Sequence, residues 1–206
     1  MTQRFDIHAQ NPQPRLIRQV VFKFRDGGLG IYPTDSCYAF GFTLGNSQPA
    51  LQITRLRQTG KQHNFTLVCR DLSEIAMYAQ IENWSYRLLK AHTPGPYTFI
   101  LRATRDVPRR LQNPKKRTIG IRIPDHPVSR ALLSELGEPI MSSTLLLPND
   151  ELPLNDPDEI CERLSGEVDF VIASGSCGIE PTTVVDLTGD VPVVLRHGKG
   201  STAAFE

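Results

Sequence analysis

The segment Tyr32-Pro33-Thr34-Asp35-Ser36 places three small oxygen-bearing side chains directly after an apolar run, where the chain must turn. Thr93-Pro94-Gly95-Pro96-Tyr97-Thr98 and Ser142-Ser143-Thr144 add further hydroxyls, while Arg57, Lys61, Arg122 and Arg196 put cations near the ends of predicted strands or helices. Hydroxyls and fixed cations around one crevice suit phosphate oxygens, because hydrogen bonds to a charged acceptor are short and strong. Alternating α/β folds place such crevices at the ends of their strands. Taken singly, each cluster is also compatible with an ordinary turn, in which Asp35 caps its own backbone.

Other chemistries leave stronger marks, and those marks are missing. The chain has no GxxxxGK[ST] phosphate loop, no GxGxxG, no HExxH and no GxSxG. His8, His63, His92, His126 and His197 are scattered without metal-ligand spacing, so no metal site is expected. Cys37, Cys69, Cys161 and Cys177 form no CxxC pair and read as reduced, mostly buried thiols.

Charge is nearly balanced overall, at +1 over 206 residues, but not along the chain. Residues 102–130 hold nine bases against two acids, whereas residues 150–169 hold eight acids against one base. Such a split points to a polyanion-facing side and an opposite acidic side, or else to two solvated surfaces. Arg109, Arg110, Lys115, Lys116 and Arg117 are the candidates for contact with RNA phosphates. No apolar run approaches the roughly 20 residues that span a bilayer. The first fifteen residues carry Arg4, Asp6 and Arg15 rather than an apolar leader, so a cytoplasmic protein is expected.

The elements that position these residues alternate. Apolar spacing predicts helices over 13–25, 50–57, 72–79, 84–91, 128–136 and 158–164, with the lone Trp84 in the core. Strands are predicted over 29–32, 37–42, 65–69, 97–101, 118–123, 140–147 and 168–173, followed by a hairpin of 183–187 and 192–196 turning at Gly189. With no internal repeat or linker, the expectation is a single α/β domain: a twisted, mixed parallel and antiparallel sheet with helices packed on it.

In chain order, the clusters resemble the YrdC/YciO family, which shares the fold of L-threonylcarbamoyladenylate synthase. Gly27-Gly28 with Tyr32 to Gly41 is similar to the family's GG…YPTDTVYGLG, Thr93 to Leu101 to WPGPxTxIL, and Gly120 to Pro127 to VRxPxHP. Pro181 to Leu187 and Leu195-Arg196-His197-Gly198 resemble ESTVVDL and LRxG, making five ordered matches over nearly the whole chain. The resemblance implies an adenylate built from ATP, L-threonine and bicarbonate, with Mg²⁺ assisting, for modification of a tRNA adenosine. It implies Thr34, Ser36, Thr182 and Thr183 at the substrate pocket. Arg57, Lys61, His63, Arg122, Ser143, Thr144 and Arg196 would lie about the nucleotide, with Arg57, Lys61 and Arg196 serving the chemistry.

Two positions depart from the synthases. Their KxR and SxN elements become Arg57-Gln58-Thr59 and Thr144-Leu145-Leu146, so one cation and one amide are lost. A lost charge-assisted contact costs about 1.5–3 kcal/mol, which makes two such losses worth roughly a hundredfold or more in turnover; Lys61 could restore one charge. These departures, with the polar Lys61-Gln62-His63-Asn64-Phe65-Thr66, resemble the YciO-type branch, which implies a basic concave face for nucleotide and for tRNA or double-stranded RNA. The alternative is an RNA-binding protein without synthase activity, as a monomer or a dimer.

Overall fold

The computed structural model describes residues 1–59 and 64–205, so the candidates Lys61 and His63 lie outside the described residues. The strands are β1 (Gln3–Asp6), β2 (Gly30–Tyr32), β3 (Ala39–Thr43), β4 (Thr66–Val68), β5 (Ala79–Gln80), β6 (Tyr97–Ala103), β7 (Thr118–Arg122), β8 (Ile140–Thr144), β9 (Phe170–Ala173), β10 (Thr183–Asp186) and β11 (Val193–Arg196). The helices are α1 (Pro14–Arg25), α2 (Gln48–Leu56), α3 (Leu72–Tyr78), α4 (Asn83–His92), α5 (Pro127–Leu136) and α6 (Pro157–Arg163). One 3₁₀ turn, Arg109–Leu111, lies between β6 and β7.

Local chemistry sets the helix starts. Proline opens the first turn of α1, α2, α5 and α6, where its missing N–H would have had no partner. Asp71 and Asp156 accept backbone N–H groups at the starts of α3 and α6, and Glu82 with Ser85 forms a capping box on α4. His126 Nδ1 accepts from Val128 N at 3.2 Å to start α5, which ends at Gly137 in the left-handed region (φ 75°).

All strands join one mixed sheet in the order β1-β9-β2-β3-β8-β4-β7-β6-β10-β11, with β5 paired to β6 beside that path. The β1/β9, β2/β9, β4/β7 and β6/β10 pairs are parallel and the others antiparallel, including the expected β10/β11 hairpin. Two short edge pieces, β1 and β5, were not legible in the residue pattern, because β1 buries only Phe5 and β5 is two residues long. Trp84 is half-buried against the main core, and its indole N–H donates to the Glu82 carboxylate at 2.9 Å.

The two faces of the sheet are covered unequally. Phe40, Phe42, Leu67, Phe99, Ile121 and Val185 point to the face covered by α2, α3, α4 and α6, which contribute Ile53, Ile75, Leu89 and Ile160. On the opposite face, α1 and α5 pack over Tyr32, Val68, Ile140, Phe170 and Ile172. No residue of β6, β7, β10 or β11 joins that second core. Half of this face therefore has no helix over it among the described residues. The acidic run lies on α6 and its flanking loops, packed by β9, while most of the basic run lies on β6, β7 and the loop between them, in the other half of the sheet, with Arg130 on α5.

Among the described residues, no helix is long and apolar enough to cross a membrane.

One close packing decides how β2 meets β9. A Cβ on Gly30 would come within 2.1 Å of the Phe170 ring, which itself packs edge-on against Phe24 with centroids 4.9 Å apart. Gly30→Ala is expected to lower unfolding free energy by about 1–3 kcal/mol through overpacking. Urea titration checks this, and a wild-type midpoint would contradict it.

Candidate functional site

Alternation along the uncovered strands puts polar groups where a core would otherwise be. Ile119, Ile121, Phe99 and Val185 turn to the helix-covered side, so Thr118, Gly120 and Arg122, Thr98 and Ile100, and Val184 and Asp186 face the open side. They floor a cavity of about 700 Å³, walled by Thr34, Ser36, Arg57, Thr59, Ser143, Thr144, Leu146, Thr182, Arg196 and others. The same alternation separates Thr182 from Thr183. Thr183 was expected at the substrate pocket, but its buried hydroxyl donates to the Gly200 carbonyl at 2.5 Å and accepts from Gly198 N at 3.1 Å. It holds the C-terminal segment from the far side of the strand.

The turn after β2 is built on its own hydroxyls. Thr34 Oγ1 donates to the Cys37 carbonyl at 2.7 Å, accepts from the N–H groups of Ser36 and Cys37, and lies 3.1 Å from Ser36 Oγ. Asp35 does not cap this turn with its carboxylate. Its side chain pairs with Arg122, both about nine-tenths buried, and Arg122 Nη1 donates to Ser36 Oγ at 3.1 Å. Lys199 Nζ donates to the Asp35 carbonyl from outside. Asp35 Oδ2 and Arg122 Nε have no hydrogen-bond partner among the described residues. Below the turn, the Tyr32 hydroxyl donates to Ser142 Oγ at 3.0 Å, and burial pushes its pKa up to about 12.

Arg57 and Arg196 enter the cavity from separate elements. Arg57, at the end of α2, donates to the Leu146 carbonyl at 3.0 Å and to Ser143 Oγ at 2.6 Å. Arg196, at the end of β11, donates through Nε and Nη2 to the Thr182 carbonyl at 3.1 and 2.8 Å, and Thr182 Oγ1 lies 2.8 Å from Thr98 Oγ1. Burial and the charge of Arg196 both depress the Arg57 guanidinium. Burial depresses Arg196 as well; the Cys37 thiol acts against that shift and the Arg122 charge adds to it. Both guanidinia stay protonated at neutral pH, so the wall carries like charges that an anion between them would relieve. Thr59 Oγ1, which lines the cavity with Arg57, is buried and has no partner among the described residues.

Lys116 reaches the cavity wall from the basic loop, and Arg109, Arg110, Lys115 and Arg117 are exposed next to it. The loop is held by its own bonds. Asn113 Oδ1 accepts from the N–H groups of Lys115 and Lys116, Leu111 is buried, and Arg110 donates to the Leu44 carbonyl at 3.2 Å. Cys37 lines the cavity as a buried thiol, and burial pushes both it and Cys177 upward, Cys177 to about 12. No group of three or more metal-ligating side chains occurs among the described residues.

Of the sequence candidates, the cavity thus brings together Thr34, Ser36, Arg57, Arg122, Ser143, Thr144, Thr182, Arg196 and Lys116. Sequence reasoning did not single out Thr59 as a buried hydroxyl, or Asp186 as the carboxylate of the floor. The alternation of Val184-Val185-Asp186 was the available signal for Asp186.

Residues 23–198 match the Sua5/YciO/YrdC family model, whose description is telomere recombination. The chain is similar to YciO of Escherichia coli, at 50% identity over 205 residues and the full length of both. The crystal structure of E. coli YciO superposes over all of both chains with a TM-score of 0.96. A putative threonylcarbamoyl-AMP synthase of Methanocaldococcus jannaschii is 27% identical over 174 residues, 84% of this chain and 81% of that protein. Sua5 of P. abyssi, solved with L-threonine, shares the fold at 22% identity and a TM-score of 0.87, over 96% of this chain and 58% of that one.

The Asp35–Arg122 pair sets a test of the site's rigidity. Arg122→Met leaves a carboxylate buried without its cation and is expected to cost about 3–5 kcal/mol. Adding Asp35→Asn should recover most of that loss. Denaturant unfolding of the cycle measures both, and a single-variant loss below about 1 kcal/mol would mean the pair is effectively solvated.

Proposed function

Since the chain belongs to the Sua5/YciO/YrdC family, we propose that its crevice binds a nucleotide and slowly forms an adenylate from ATP, L-threonine and bicarbonate. The observation that carries this reading is the convergence of Arg57 and Arg196, from different elements, on one hydroxyl-lined cavity. Phe65, Ile100, Leu111 and Val184 give the same cavity an apolar wall for a base. The chemistry asks mainly for positioning. The threonine amine condenses with bicarbonate, losing water, to give a carbamate; a carbamate oxygen attacks the α-phosphorus, the bond from that phosphorus to the oxygen bridging the α- and β-phosphates breaks, and pyrophosphate leaves.

Thr34, Ser36 and Thr182 would hold the amino-acid end, while Arg57, Ser143, Thr144 and Arg196 meet the phosphates, with Lys61 and His63 adjacent in the chain. Mg²⁺ supplies charge neutralisation when bound; Asp186, with the phosphates themselves, fits a hard cation that prefers oxygen ligands. No side-chain nucleophile is needed. Turnover is slow in this reading because Thr59 and Leu146 present a neutral hydroxyl and an apolar group beside Arg57.

Pyrophosphate release from ATP, measured with and without L-threonine and bicarbonate, tests the synthase step. Release should depend on threonine and fall about tenfold or more in Arg196→Ala, the effect of one charge-assisted contact. No release from folded protein would remove the synthase step and leave nucleotide binding.

The exposed basic loop beside the cavity supports a second reading, that RNA phosphates dock at the crevice mouth. Recognition of duplex RNA rests on shape and backbone contacts, so clustered arginines suffice. Affinity for a short RNA duplex should fall linearly with log salt, and the double variant Arg109→Ala/Arg110→Ala should lower the slope by about two. An unchanged slope would show that this loop does not touch the phosphates.

A further inference from the structure

Thr98 closes the Pro94-Gly95-Pro96-Tyr97-Thr98 segment and is buried in the cavity floor on β6. Strand register places it beside the residue that aims Arg196. Val184 of β10 pairs with Thr98 on one side and with Arg196 on the other, and Thr182, two residues before Val184 and on the same face, lies between them. A line of contacts crosses the three strands. Thr98 Oγ1 lies 2.8 Å from Thr182 Oγ1, which accepts from Arg196 Nη2 at 3.2 Å, and the Thr182 carbonyl accepts from Nε and Nη2 of the same guanidinium at 3.1 and 2.8 Å.

Each link is fixed by its surroundings. The Thr98 methyl is seated over Gly120 of β7, where a Cβ would stand 3.1 Å from it, and a β-branched side chain is stiff about its first torsion. Its hydroxyl is thereby presented in one direction. From the other side, Lys199 N donates to the Pro181 carbonyl at 2.9 Å, and Gly198 approaches so closely that a Cβ would stand 2.6 Å from the Thr182 carbonyl carbon. Thr182 is clamped between the C-terminal segment and Thr98. A planar guanidinium with two of its nitrogens on one residue takes its plane from that residue, and a hydrogen bond weakens steeply as its angle departs from the preferred range.

We propose that Thr98 is a positioning residue of this site: its hydroxyl holds Thr182, and through Thr182 it fixes the direction from which the Arg196 guanidinium meets an anionic ligand. The inference rests on the reading of the crevice as a nucleotide site. Thr182 touches the arginine through both its side chain and its carbonyl, whereas Thr98 acts one residue further back. A binding group is held to its productive geometry when the residue behind it is locked by packing and hydrogen bonds.

Isothermal titration of the full chain with AMP, and with pyrophosphate as a second anion, tests it. Thr98→Val keeps the size and the branch; it should weaken AMP about threefold to tenfold, the worth of one neutral hydrogen bond, and Thr98→Ser should recover most of that loss. Thr182→Val should cost at least as much, and the double variant Thr98→Val/Thr182→Val no more than Thr182→Val alone, the non-additivity of residues acting through one another. In the ligand-free protein the Arg196 Nε–Hε resonance should shift in Thr98→Val and return in Thr98→Ser. Thr98→Ala, read by the same titration, covers a Val variant that fails to fold. Wild-type affinity in the folded variant would overturn the proposal while leaving the nucleotide site intact. Losses that multiply in the double variant would show Thr98 acting without Thr182, and would overturn it too. If neither AMP nor pyrophosphate binds the folded wild-type protein, the nucleotide reading itself fails and the positioning role with it.

Discussion

Helices α1 and α5 reach over only half of the second sheet face, and this unequal cover decides the character of everything beside it. A strand whose two faces are both buried carries apolar residues throughout, whereas a strand open on one side must alternate. β6, β7 and β10 do alternate, with Phe99, Ile121 and Val185 inward and Thr98, Gly120, Arg122 and Asp186 outward. The uncovered half is a mixed floor, Thr98, Thr118, Arg122 and Asp186 beside Ile100, Gly120 and Val184, ringed by loops that carry the hydroxyls and cations. Adding a helix there would bury those groups without partners; leaving it out makes a crevice.

Within that crevice the cations divide by environment. Arg122 is locked against Asp35 and Ser36, where burial makes the loss of either partner expensive. It props the turn that presents Thr34 and Ser36. Arg57 and Arg196 are held instead by hydroxyls and carbonyl oxygens, which aim a guanidinium without cancelling its charge. The contrast separates an arginine locked in a buried ion pair from two whose guanidinia are aimed at the cavity by hydroxyls and carbonyls.

Most of the architecture was legible because it is written in periodicity and punctuation. Apolar spacing marked the helices, and the apolar runs marked β6 to β9. β1 and β5 escaped notice because their pairing depends on partners distant in the chain, not on their own composition. In the site, residue type identified Thr34, Ser36, Arg57 and Arg196, but not the use each is put to. Thr183 follows Thr182 in a hydroxyl-rich motif and still faces the other way, and Arg122 reads as a phosphate ligand until its buried carboxylate is seen. Thr59 was legible only as a lost cation; that its hydroxyl is buried is a property of the packed wall.

The central claim is that an anionic nucleotide seats between Arg57 and Arg196 on the uncovered half of the sheet. The most direct measurement is the arginine Nε–Hε resonances of the isotopically labelled protein during titration with AMP. The account predicts that the Arg57 and Arg196 signals move together and saturate, while the Arg122 signal, tied to Asp35, stays in place. Unmoved Arg57 and Arg196 signals, with shifts confined to the acidic loop around Asp150 to Glu159, would contradict it.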